Sequence, residues 1–177
     1  MIQTAISKPA AAEFNPYYGR YIDLVPEGDI VEVLAGQIAE TLRLLAPLTE
    51  AQALHRYAAG KWSVKEVVGH VADAERIFAY RALRIARGDA TPLASFDENA
   101  YVPAGRFDAR PLASIVAELS AARAATVALG RGLDAEAAAG RGVASGHPVT
   151  PRALFYIIAG HELHHRAILK ERYGVGG

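Results

Sequence analysis

Apolar residues recur every three to four positions in four stretches of this chain, and each stretch is bounded by residues that start or stop a helix. The first begins after Pro26, where Glu27 and Asp29 suit a helix N-terminus. It carries Ile30, Leu34, Ile38, Leu42 and Leu45 along one stripe until Pro47. The second opens on a capping box of Ser63 and Glu66, with Trp62 and Val67 placed as a hydrophobic staple, and runs to about Gly88. Val67, Val71, Ala74 and Phe78 mark its inward face, while Arg76, Arg81, Arg84 and Arg87 read as a solvated one. The third takes Pro111 in its first turn and aligns Ile115, Leu119, Ala122, Thr126 and Leu129 before Gly130 and Gly132. The fourth is capped by Thr150, has Pro151 in its first turn, and stops near Gly174; its seam is Leu154, Ile158, His161, His165 and Ile168.

Four such helices predict an all-α fold, an antiparallel four-helix bundle of up-and-down or crossover type. Residues 89–110, between the second and third helices, are too many for a minimal turn. They are expected to cross the bundle end, and Phe96, Asp97, Glu98, Asn99 and Tyr101 make this connection a candidate binding segment.

A chain of 177 residues is long enough for one core, so a single domain over 1–177 is expected, with 1–16 as an extended N-terminal arm. No apolar run reaches the roughly 18 residues of a membrane span, so no membrane partner is expected. Nineteen basic residues balance nineteen acidic ones and are spread along the chain, which argues against nucleic acid as a partner. Residues 1–12 hold one lysine and no continuous apolar core, which points away from a secretory signal and towards the cytoplasm. Cysteine is absent, so any metal must be held by imidazole and oxygen.

Of the six histidines, His161, His164 and His165 share a turn and a half of the fourth helix. At 100° per residue His161 and His165 project from nearly the same face, a ready chelate, while His164 points away towards a surface or a helix contact. The segment spells His161-Glu162-x-x-His165, a zinc-peptidase signature, but Ile168 and Glu171 stand where the longer motif needs glycine and histidine. The third ligand must lie upstream, and His70 beside the apolar face of the second helix is the candidate. Three inward imidazoles without a metal would compete for partners in an apolar core. Three ligands also leave a coordination position open, as catalytic sites do. Asp73 and Glu162 are candidate catalytic bases or imidazole-orienting acceptors, as is Glu75 for orientation, although helical phase favours the surface for all three. His55 and His147 fall in loops and receive no role.

The run from Gly60 to Glu75, with Lys61-Trp62-Ser63 and Gly69-His70, followed by Gly160-His161-Glu162-Leu163-His164-His165, resembles the DinB/YfiT-like superfamily of small metal-binding bundles. The resemblance extends from about Tyr17 to Tyr173. It implies a histidine on the second helix and a histidine pair on the last, which map onto His70, His161 and His165. It further implies a four-helix core, a homodimer, a divalent metal that is nickel or zinc, and a small-molecule substrate, among them a low-molecular-weight thiol. Members include thiol-dependent transferases, a thiol-dependent isomerase and hydrolases, and fold alone does not choose among them. Three functions are therefore weighed: metal-dependent activation of a thiol for transfer to an electrophile; hydrolysis by metal-bound water with Glu162 or Asp97 as base; and a non-catalytic, metal-stabilised dimer or sensor.

Overall fold

A computed structural model describes residues 6–176. Short helices α1 (Gly19–Ile22), α3 (Glu50–Ala53), α5 (Glu98–Gly105) and α7 (Ala135–Ala138) punctuate four long ones, α2 (Ile30–Leu45), α4 (Val64–Ala86), α6 (Leu112–Arg131) and α8 (Pro151–Tyr173). The long helices coincide with the four periodic stretches, and their ends show why. Asp29, Ser63 and Thr150 each accept a hydrogen bond from a first-turn amide, and Gly174 closes α8 at φ +68°. Pro111 differs from expectation: it is the N-cap of α6, not a first-turn residue.

The four-helix bundle has the ring order α2, α6, α4, α8. α4 and α8 run antiparallel, because Trp62 at the start of one meets Tyr173 at the end of the other. α2 and α6 are also antiparallel, since Val31 packs on Gly130 while Leu34 meets Arg123. The other two neighbouring pairs run parallel. Gln37 meets Ala159 and Glu40 meets Arg166 along α2 and α8, while Glu75 meets Arg123 and Leu83 shares a groove with Leu129 along α4 and α6. A parallel neighbour requires the chain to return along the bundle, and α4 is about 34 Å long at 1.5 Å per residue.

This return corrects the expected role of residues 89–110, which travel the length of α4 instead of crossing one end. Leu93 pairs with a hairpin of β1 (Gly142–Ala144) and β2 (His147–Val149); Phe96 then meets Phe78, and Phe107 seats on Gly69. A β-carbon at Gly69 would lie 2.4 Å from that ring. The segment also contains α5, capped by Asp97 through Asn99 N. The covering chain accounts for a second correction, on the arginine face of α4. Arg81 is buried and donates to the Ala94 carbonyl (2.6 Å) and Ser145 Oγ (3.1 Å), and Arg84 pairs with Asp89; Arg76 and Arg87 remain exposed.

Of the arm expected over 1–16, residues 1–5 lie outside the described residues. From Ile6, which is buried, the chain is packed down: Glu13 is buried and accepts from Thr150 Oγ1 (2.9 Å) and Arg152 Nε (2.6 Å) at the start of α8.

Two apolar clusters fill the interior. One includes Leu34, Ala74, Phe78, Val127 and Ile158, the other Leu45, Val67, Val71, Leu119 and Leu169. On each long helix a polar layer falls near the change from one cluster to the other. Here Arg123 donates from Nε and NH2 to the two oxygens of Glu75 (2.8 and 2.9 Å), from NH2 to Glu162 (2.6 Å) and from NH1 to the Leu34 carbonyl (3.0 Å). Glu162 also accepts from Gln37 and Thr41, so one network ties all four long helices. By length and composition α6 could cross a membrane, with about a third of its apolar window buried; much of that apolarity is alanine, and Arg123 near its middle is held by Glu75 and Glu162.

Candidate metal centre

His70 stands on α4 and His161 and His165 on α8, the antiparallel pair, and the three imidazoles converge. His161 Nε2 lies 3.1 Å from His70 Nε2 and 3.1 Å from His165 Nε2, and all three ligand atoms fall within 4.8 Å of one another. Two bonds of 2.0–2.1 Å to a common ion, at angles between a right angle and tetrahedral, would separate their nitrogens by about 2.8–3.4 Å. The spacing therefore fits an ion held between them. Among the described residues no fourth histidine or carboxylate joins the group.

Electrostatics suit the same use. Burial pushes His70 down to about 4 against the opposing charge of Glu98. Burial, then the charges of His70, His164 and Arg20, takes His165 down to about 3. His161 is held well below its ordinary value by burial and by the neighbouring imidazoles. All three are thus neutral at pH 7, with a lone pair available to a cation. Ligating imidazoles ordinarily donate their second ring N–H to an acceptor. His165 Nδ1 is buried with no protein partner among the described residues.

The triad forms the wall of a cavity of about 270 Å³. Phe78 and Trp62 flank it, the Trp62 ring centroid 4.9 Å from that of His70. The facing wall is built by Tyr17, Tyr18, Arg20 and Tyr21, around α1. Gly160, immediately before His161, lets α1 reach this place: a β-carbon there would stand 2.0 Å from the Tyr21 carbonyl oxygen. Tyr21 then packs edge-on against His161 and His164, with centroids 5.4 and 5.2 Å away. A second cavity of about 290 Å³, lined by Tyr57, Lys61, Asn99 and Tyr173 among others, shares Trp62 and His165 with the first.

The carboxylates singled out in the sequence lie elsewhere. Glu162 is 2 % exposed, not a surface group, and its oxygens are taken by Arg123, Gln37 and Thr41. Residues 161 and 162 are 100° apart on the helix, so the imidazole faces the cavity while the carboxylate enters the polar layer. Glu75 is buried in the same network. Asp73 is half-buried beside Arg76 and is absent from the cavity lining; burial raises its pKa, with Arg76 opposing. Asp97 serves as a helix cap. The carboxylate that does line the cavity is Glu98, the residue after that cap. His164 is half-buried on the cavity wall, His147 lies in β2, and His55 lies beside Tyr173. Three tyrosines in five residues at 17–21 were the one sequence signal for the facing wall, and helical periodicity gives such a short segment no weight.

The sequence profile of the DinB superfamily matches residues 34–169. No curated protein matches the chain in sequence. Among solved structures, YfiT from Bacillus subtilis, described as a probable metal-dependent hydrolase with an unusual four-helix bundle topology, is similar. Its TM-score is 0.72 at 20% identity, over 96% of this chain and 94% of that one. The mycothiol-dependent maleylpyruvate isomerase is similar with a TM-score of 0.68 at 14% identity, over 88% of this chain and 64% of that one. At these identities the likeness is one of fold.

Proposed function

This chain belongs to the DinB superfamily, and we propose that it is a metal-dependent enzyme in which His70, His161 and His165 hold a divalent ion that activates a small-molecule thiol for transfer to an electrophile. The observation that carries the reading is the convergence of three neutral imidazole nitrogens, 3.1 Å apart in two pairs, on the wall of an open cavity. Zinc and nickel both suit such a donor set. When bound, the ion would lower the pKa of a thiol or water that reaches it.

The protein's own contribution is placement and shelter. Gly69 and Gly160 let Phe107 and Tyr21 close against the two ligand-bearing helices, which holds the imidazoles in register. Phe78 and Trp62 keep the approach apolar. Two reactants need two places, and the second cavity, meeting the first at Trp62 and His165, supports transfer between molecules over hydrolysis of one. A homodimer would not be needed to complete the ligand set, since all three imidazoles come from one chain.

Hydrolysis is the second reading, and Glu98 favours it, because a carboxylate on the cavity wall can take a proton from attacking water. It replaces Glu162 and Asp97 in that role.

Elemental analysis of protein purified without added metal or affinity tag should find about one equivalent of zinc or nickel, lost in His70→Ala. Metal-loaded protein given a panel of thiols and a chromogenic electrophile should turn over, with activity abolished in His161→Ala. Ester hydrolysis without thiol-dependent transfer would select the second reading, and metal-free protein from every preparation would remove both.

A further inference from the structure

Arg20 stands on the triad cavity with its charge uncommitted. Among the described residues no carboxylate pairs with it, and it is the one arginine or lysine that lines this cavity. Its position is nonetheless fixed. NH2 donates to the hydroxyls of Tyr17 and Tyr21 (2.9 Å to Tyr21), and the guanidinium carbon lies 3.9 Å from the centroid of the Tyr17 ring and 4.8 Å from that of Tyr21. Nε and NH1 keep donors with no acceptor in the chain among the described residues. Tyr21 meanwhile packs on His161, so the cation is one aromatic ring away from the triad.

An oriented cation with spare donors, held by tyrosine hydroxyls on the wall of a cavity, suits a planar anionic group such as a carboxylate. Glu98 on α5 is the one carboxylate in the same lining and it bears on Tyr18 and His70, which leaves Arg20 as the one cationic side chain there to receive an entering anion. We propose that the substrate of this site carries a carboxylate, which Arg20 anchors with its orientation set by Tyr17 and Tyr21, leaving the substrate's reacting group over the three imidazoles. The proposal deepens the reading of the triad cavity as a substrate site and rests on it.

Trp62 is the sole tryptophan and lines the cavity, so its fluorescence reports occupancy. Metal-loaded protein would be titrated with 3-mercaptopropionate and with its uncharged amide, and chelator-stripped protein with propionate and propionamide. The carboxylate of each pair should bind about tenfold or more tightly than its amide. In Arg20→Gln the two members of a pair should bind alike, and Arg20→Lys should restore part of the difference. Arg20 is exposed, so these variants are expected to fold; unchanged far-ultraviolet circular dichroism would verify it. Equal affinities in the unaltered protein, or a preference that persists in Arg20→Gln, would overturn the anchor while leaving the metal reading intact. Arg20-dependent binding of propionate with no binding of either thiol would uphold the anchor and count against thiol activation.

Discussion

Residues 161 and 162 of α8 enter two different polar clusters. At the Glu162 cluster every nitrogen of Arg123 has an acceptor, and Glu162 itself accepts from three side chains. At the His161 cluster, the Nε2 atoms of His70 and His165 each lie 3.1 Å from that of His161, which can form a good N–H···N bond with only one of them; the other apposition is left without a proton or ion to bridge it. A buried cluster whose partners all lie within the protein is architecture. One whose partners are missing, on the wall of a cavity, is a place for something else.

Breaking each cluster should therefore cost very different amounts of stability. The largest effect is expected from Arg123→Met, which leaves Glu75 and Glu162 buried without their cation; denaturant titration should register a loss of about 3–5 kcal/mol, or no folded protein. His161→Ala in metal-free protein should by contrast cost about 1 kcal/mol or less, because it relieves an unfavourable apposition as it opens space. A loss as large as that of Arg123→Met would erase the distinction.

Acid sharpens the comparison. Imidazoles near 6.5 in the unfolded chain take up protons that His70, held at about 4, and His165, at about 3, refuse in the folded one. Stability of the metal-free protein is thus fully present above about pH 6.5 and falls as the pH drops from there towards 3. Chemical denaturation between pH 4.5 and 7 should show this slope, and a His70→Ala/His165→Ala double variant should reduce it, leaving the share of the buried His161. The smallest effect belongs to the exposed pair of Arg76 with Glu118, where Arg76→Ala should change stability by less than about 1 kcal/mol.

The helices and the triad were legible because each has a local signature. Ser63 and Glu66, Thr150 and Pro151, and the His161/His165 spacing all express themselves within one or two turns. The polar layer was not, because nothing on α8 alone says that Thr41, Gln37 and Arg123 await Glu162; helical phase put that carboxylate at the surface when it is bonded by side chains of two other helices. The direction of the helices was hidden for a similar reason, since periodicity is the same read either way along a bundle. The length of the 89–110 connection was the only trace of the parallel α4–α6 pair. Arg81 went astray with it, because the chain that covers it is this same returning segment.

The parallel packing of α2 with α8 also bears on how the protein is made. Gln37 and Glu162 are 125 positions apart, and His70 and His161 are 91 apart. During synthesis α2, α4 and α6 leave the ribosome before either polar cluster can close, and Arg123 has only half its acidic partners until α8 emerges. The nascent chain is therefore expected to stay protease-sensitive until the fourth long helix is out, and then to fold in a single late step.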